Sequence, residues 1–227
     1  MPNVLITGAN RGIGLGLSRL YGRDDWTVLA CTRHPEAAED LQRIDGNVVV
    51  LPLDVADPAS VAILSERLRG IDIDLLIANA GVYGPRPSQL GAIDYSAWSD
   101  VLMVNTLGAV RTAESFLDHV RTSADGRIVA LSSTMGSIAN NNAGGEYIYR
   151  SSKAALNAAM KSMAIDLEPE GITVAMVHPG WVRTDMGGPT ASISLEESAE
   201  GLYQTIENLS IADTGRFLDY QGQDLPW

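Results

Sequence analysis

Apolar residues gather in short runs at 3–7 (NVLIT), 26–31 (WTVLAC), 47–53 (NVVVLPL), 73–78 (IDLLIA), 126–132 (GRIVALS), 172–178 (ITVAMVH) and 216–220 (RFLDY). The first six are mostly continuous rather than alternating, as in strands buried on both faces of a parallel sheet. Between them, segments of helical period cover about 12–22, 35–44, 58–69, 95–121, 149–168 and 195–209. Strand alternating with helix predicts an α/β, doubly wound sheet. Punctuation agrees. Asp57 before Pro58 reads as a helix N-cap with proline at the first helical position. Pro169 and Gly171 close the 149–168 helix. The stretch NNNAGG at 140–145 reads as an exposed loop.

Composition narrows the function. The chain has 227 residues, 45% of them hydrophobic, with no repeat and no evident linker, which suits one domain over 1–227 with one large core. A formal charge of −12 repels a phosphate backbone and argues against nucleic acid. The single cysteine, Cys31, sits in an apolar run, so a disulfide scaffold is excluded within the chain and a buried small hydrophobe is expected. His34, His119 and His178 lack metal-ligand spacing, so no metal is assigned. No window approaches the roughly 18 apolar residues of a membrane span, and the start of the chain does not read as a signal peptide. A cytoplasmic protein is the expectation.

The first strand runs into TGANRGIGLG, which places Gly8, Gly12 and Gly14 where a strand turns into a helix. Glycines there let a pyrophosphate approach the backbone, and the helix start offers free N–H groups. The spacing G-x-x-x-G-x-G, with Asn79-Ala80-Gly81 after the fourth strand, resembles the short-chain dehydrogenase/reductase family. The end of the chain, GRFLDYQGQDLPW, resembles the C-factor and sniffer branch of carbonyl reductases within it. The resemblance implies a single Rossmann-type domain with a seven-stranded, mostly parallel sheet in the order 3-2-1-4-5-6-7 and helices on both faces. It also implies cofactor contacts from Asn10, Ile13, Asp54, Val55, Asn79, Ala80 and Gly81, and from Pro179, Gly180, Val182 and Thr184 of HPGWVRTDM.

After the second strand, NAD-specific relatives carry an acid for the ribose hydroxyls. Here that position is Thr32, and Arg33 follows, with Arg11 in the glycine turn. A guanidinium can hold a 2′-phosphate bidentately, so NADPH is expected over NADH.

The stretch EYIYRSSKAALN offers two tyrosines and one lysine. Tyr149 stands four positions before Lys153, one helical turn away on a shared face, whereas Tyr147 is six away and is expected in the loop. A free phenol has a pKa near 10, and a nearby ammonium brings it closer to neutral pH, fitting it for general acid work on a carbonyl oxygen. The resemblance makes Tyr149 and Lys153 both catalytic and cofactor-binding, Ser133 the residue that orients the carbonyl (Ser132 being the alternative), and Asn105 the residue that kinks its helix and supports a proton relay. An NADPH-dependent carbonyl reductase acting on ketones, aldehydes or secondary alcohols is the expectation. An NADP(H)-binding signalling or redox-sensing protein with incidental turnover is the alternative. The small residues of the 149–168 helix suit close packing on more than one face, so a homodimer or homotetramer is expected.

Overall fold

The computed structural model describes residues 1–227. Seven strands form one sheet: β1 Asn3–Thr7, β2 Thr27–Thr32, β3 Asn47–Pro52, β4 Leu75–Ala78, β5 Arg127–Leu131, β6 Thr173–His178 and β7 Phe217–Asp219. Their order is β3-β2-β1-β4-β5-β6-β7, the order expected, and every neighbouring pair is parallel. The helices are α1 Gly12–Arg23, α2 Glu39–Gln42, α3 Pro58–Arg67, α4 Tyr95–Leu102, α5 Ala109–Ser115, α6 Leu117–Arg121, α7 Tyr147–Leu167 and α8 Leu195–Glu207.

Strand residues alternate between two cores. Leu5, Leu76, Ile128 and Met176 pack with α3, α5 and α7 on one face. Ile6, Ile77, Val129 and Val177 pack with α1 and α8 on the other. Cys31 is buried in the first core, and burial pushes its thiol pKa up, as for an inert structural cysteine. The expected caps form: Asp57 Oδ1 accepts from the Ala59 N–H at 2.9 Å. Gly171 takes a left-handed φ of 76° as the chain leaves α7.

Four expectations need correction. β3 is not buried on both faces: Asn47 and Val49 are exposed, because β3 is an edge strand. The 35–44 segment is not one helix but a 3₁₀ turn, Pro35–Ala37, followed by the single turn α2. The 95–121 segment is not continuous α-helix either. A π-helical stretch, Met103–Gly108, separates α4 from α5, and a break at Phe116 precedes α6. Last, α7 begins at Tyr147 rather than Tyr149, so Tyr147 is helical.

Candidate active site

The strand order reverses between β1 and β4, and the carboxyl ends of the strands there open a cleft of about 520 Å³. Gly8 and Gly12 line it with left-handed φ of 65° and 52°, conformations that favour glycine. A Cβ on Gly14 would lie 2.5 Å from the Gly8 carbonyl and 2.6 Å from Asn79 Nδ2, so only glycine lets α1 start this close to the turn. Asn79 joins β4 to the same turn, its Nδ2 donating to Thr7 O at 2.7 Å and Gly8 O at 3.0 Å. The Asn79 and Ala80 N–H groups both donate to Thr7 Oγ1. The cradle is bare backbone with an open helix end, which fits a dinucleotide pyrophosphate.

The other predicted cofactor residues divide between the cleft wall and its support. Asn10, Arg11, Ile13, Thr32, Arg33, Asp54, Val55, Ala80, Gly81, Pro179 and Thr184 line the cleft. Gly14, Gly180 and Val182 do not. Gly180 takes a left-handed φ of 85° beside Ile193 and Tyr220, and buried Val182 bridges to Ile193, so both shape the loop behind Thr184. Thr32 is buried and its Oγ1 accepts from the His34 N–H at 3.3 Å. Arg33 is exposed at the cleft edge. Arg11 donates to Asp185 Oδ2 at 2.7 Å, a pair open to solvent on both sides and therefore weak. Asp54 Oδ1 accepts from the Ala56 N–H at 2.9 Å, so it caps the strand end as well as lining the cleft.

The catalytic candidates converge at the inner end. Tyr149 and Lys153 line the cleft from α7, and Ser133 follows β5. Gly136 makes this approach possible: a Cβ there would stand 2.9 Å from both the carbonyl carbon and the Cβ of Lys153. Ser133 lies beside the phenol, where its hydroxyl favours the ionised form, but burial dominates and pushes Tyr149 up to about 12. Burial lowers Lys153 to about 8. Its Nζ donates to the Leu131 carbonyl at 2.8 Å and stands 5.9 Å from the Tyr149 ring centroid. In this arrangement the ammonium points to the end of β5, and desolvation of the phenol prevails over the groups beside it.

Asn105 is buried in the π-helical stretch. Its Oδ1 accepts from the Val82 N–H at 2.8 Å, and its Nδ2 donates to the Val82 carbonyl at 2.8 Å and to Ser152 Oγ at 3.0 Å. A Cβ on Gly81 would lie 3.4 Å from Asn105 Oδ1 and 3.6 Å from Lys153 Nζ, so Asn105 borders the lysine without bonding it. Ser132 lines the cleft and Ser133 does not, but the Ser132 hydroxyl donates to Asn157 Oδ1 at 2.5 Å, whereas the Ser133 hydroxyl, which accepts from the Met135 N–H at 3.1 Å, is the one beside the phenol.

Other participants had no signal in the chain. Tyr83 stacks on Tyr149 and Arg86 on Tyr83, both from the loop after β4, and Asp185 takes Arg11 from a position 174 residues away. Only Val82 could have been foreseen, as the residue that follows the Asn79-Ala80-Gly81 turn.

The chain is similar to known proteins over most of its length. The family pattern described as short chain dehydrogenase matches residues 2–193. The C-signal of Myxococcus xanthus is 45% identical over 155 residues, covering 68% of this chain and 93% of that protein. The carbonyl reductase Sniffer of D. melanogaster superposes with a TM-score of 0.94 at 33% identity, covering 100% of both chains. An NADPH-bound carbonyl reductase from chicken fatty liver superposes with a TM-score of 0.91 at 33% identity, covering 100% of this chain and 99% of that one. The chain belongs to the short-chain dehydrogenase/reductase family of oxidoreductases.

Proposed function

We propose that this protein is an NADPH-dependent carbonyl reductase, with residues 1–227 forming one dinucleotide-binding catalytic domain. The observation that carries this reading is the pair Tyr149 and Lys153 lining a cleft entered by the glycine turn, with Ser133 beside the Tyr149 phenol. NADPH is favoured by the solved relatives that hold NADP or NADPH, and by a neutral Thr32 beside Arg33 where an acid would otherwise reject a 2′-phosphate. Arg33 and Arg11 would face that phosphate, and Thr184 and Pro179 would border the nicotinamide. When bound, the dinucleotide supplies or takes up the hydride. Ser133 holds the substrate oxygen by hydrogen bond. Tyr149 donates its phenolic proton to that oxygen during reduction and removes it from the alcohol during oxidation. Lys153 binds the nicotinamide ribose and supports the phenolate, and Asn105 keeps the lysine's surroundings in place through Val82 and Ser152.

The substrate is read as a small ketone or aldehyde, or a secondary alcohol in reverse. The exposed apolar side chains of Met103, Leu107 and Ile165 favour self-association as a homodimer or homotetramer. No helix is long and apolar enough to cross a membrane. A second reading, an NADP(H)-binding signalling protein with incidental turnover, has the C-signal relative in its favour. The same experiment separates the two. Aldehydes, ketones and quinones are screened with NADPH and NADH, using the wild type and Tyr149→Phe. The reductase reading expects turnover with NADPH preferred, a loss of about 10²–10⁴ in kcat/KM on substitution, and unchanged NADPH binding. No turnover of any carbonyl would favour the signalling protein.

A further inference from the structure

The loop after β4 brings a second phenol against the first. The Tyr83 and Tyr149 rings stack with centroids 4.3 Å apart and an interplanar angle of 14°. The Tyr83 hydroxyl donates to Met135 Sδ at 3.5 Å, which fixes the ring from the segment that carries Ser133. Arg86 Cζ lies 3.5 Å from the Tyr83 ring centroid. Two groups at these distances cannot share one face, so the guanidinium covers the face opposite Tyr149. Arg86 Nη2 donates to the Met186 carbonyl at 2.9 Å, so the stack is tied to the loop after β6. Arg86 forms no ion pair, whereas Arg11, Arg23, Arg43, Arg69, Arg121, Arg127 and Arg216 all do. Its guanidinium is exposed to solvent on its outer side and lies against the Tyr83 ring, where Glu146 acts in the opposite sense.

We propose that Arg86, acting through Tyr83, is a positioning residue that holds the Tyr149 ring and favours its phenolate. The inference rests on the reading of Tyr149 as the general acid and base. The other groups facing Tyr149 are the Ser133 hydroxyl, the Tyr83 phenol and, on its own helix, Lys153, whose ammonium is turned to Leu131. Glu146 and Arg150 face Tyr83 rather than Tyr149. Arg86 lowers the Tyr149 pKa and Tyr83 raises it, both weaker than burial.

Two readouts test the proposal in Arg86→Gln and Arg86→Lys. The first is the ultraviolet difference titration of Tyr149, obtained in each background by subtracting the Tyr149→Phe protein. The second is the pH dependence of kcat/KM for alcohol oxidation. Arg86→Gln should move the tyrosinate titration and the rising kinetic limb to higher pH by about 0.5, and Arg86→Lys should restore most of the difference. A tyrosinate titration that does not move in Arg86→Gln would overturn the proposal, as would a change confined to the KM of the carbonyl substrate. A titration that moves while the kinetic limb stays supports the role of Arg86 and removes Tyr149 from acid–base catalysis.

Discussion

Lys153 is 5% exposed, and the single hydrogen bond of its ammonium goes to the Leu131 carbonyl. Burial holds its pKa at about 8, against an ordinary value of 10.5. Between those pH values the unfolded chain binds the proton and the folded chain does not, so this group adds stability as pH rises from about 8 to about 10.5. At neutral pH the burial cost is fully present. Lys153→Met should therefore raise the unfolding free energy at pH 7 by about 1–3 kcal/mol after the lost hydrogen bond is offset, read as a higher urea midpoint, with the gain shrinking toward pH 10. The same variant should lose turnover. A midpoint lowered at pH 7 would show that the ammonium stabilises the fold. Other side chains owe their setting to neighbours in the same way. Tyr149 was legible from its spacing to Lys153, but the cation stacked behind its neighbour, Arg86, was not, since a guanidinium near a ring carries no sequence pattern.

At the scale of elements, the site is an approach of α7 to the turn after β5. Gly136 sits in the 3₁₀ turn Thr134–Gly136, against the backbone of Lys153. Gly136→Ala should push α7 away, lower stability by about 1–3 kcal/mol and cut kcat, because Ser133 and Tyr149 lie on opposite sides of that contact. Denaturant unfolding together with steady-state kinetics checks it. Unchanged stability and unchanged kcat would mean that the contact relaxes freely. The helical period of 95–121 was legible, whereas its π-helical interruption was not. Asn105 spends its side chain on both backbone groups of Val82, a partner 23 positions earlier, and a periodicity count does not register such a bond. The caps formed as read, because Asp57 reaches an N–H only two residues away.

At the scale of the whole molecule, the exposed Met103, Leu107 and Ile165 belong to the π-helical stretch and α7, elements that pack together. Proposed self-association there predicts a sedimentation or light-scattering mass of two or four protomers. Leu107→Glu should reduce it to one, since burying an unpaired carboxylate is costly. A wild type that sediments as a single protomer would remove the proposal.

The sequence by itself determined the succession of strands and helices, the glycine turn and the Tyr149–Lys153 pair, because each depends on neighbours within a turn or a strand. It also carried the sheet order through the family resemblance. Only the tertiary structure decided that Asn47 and Val49 of β3 stay exposed, that Lys153 turns to Leu131, that Arg11 meets Asp185 and that Tyr83 stacks on Tyr149 with Arg86 over the Tyr83 ring. Parallel crossovers carry successive loops to one end of the sheet, so the groups that meet at the cleft come from distant parts of the chain. Their encounters follow from topology and packing rather than from local spacing.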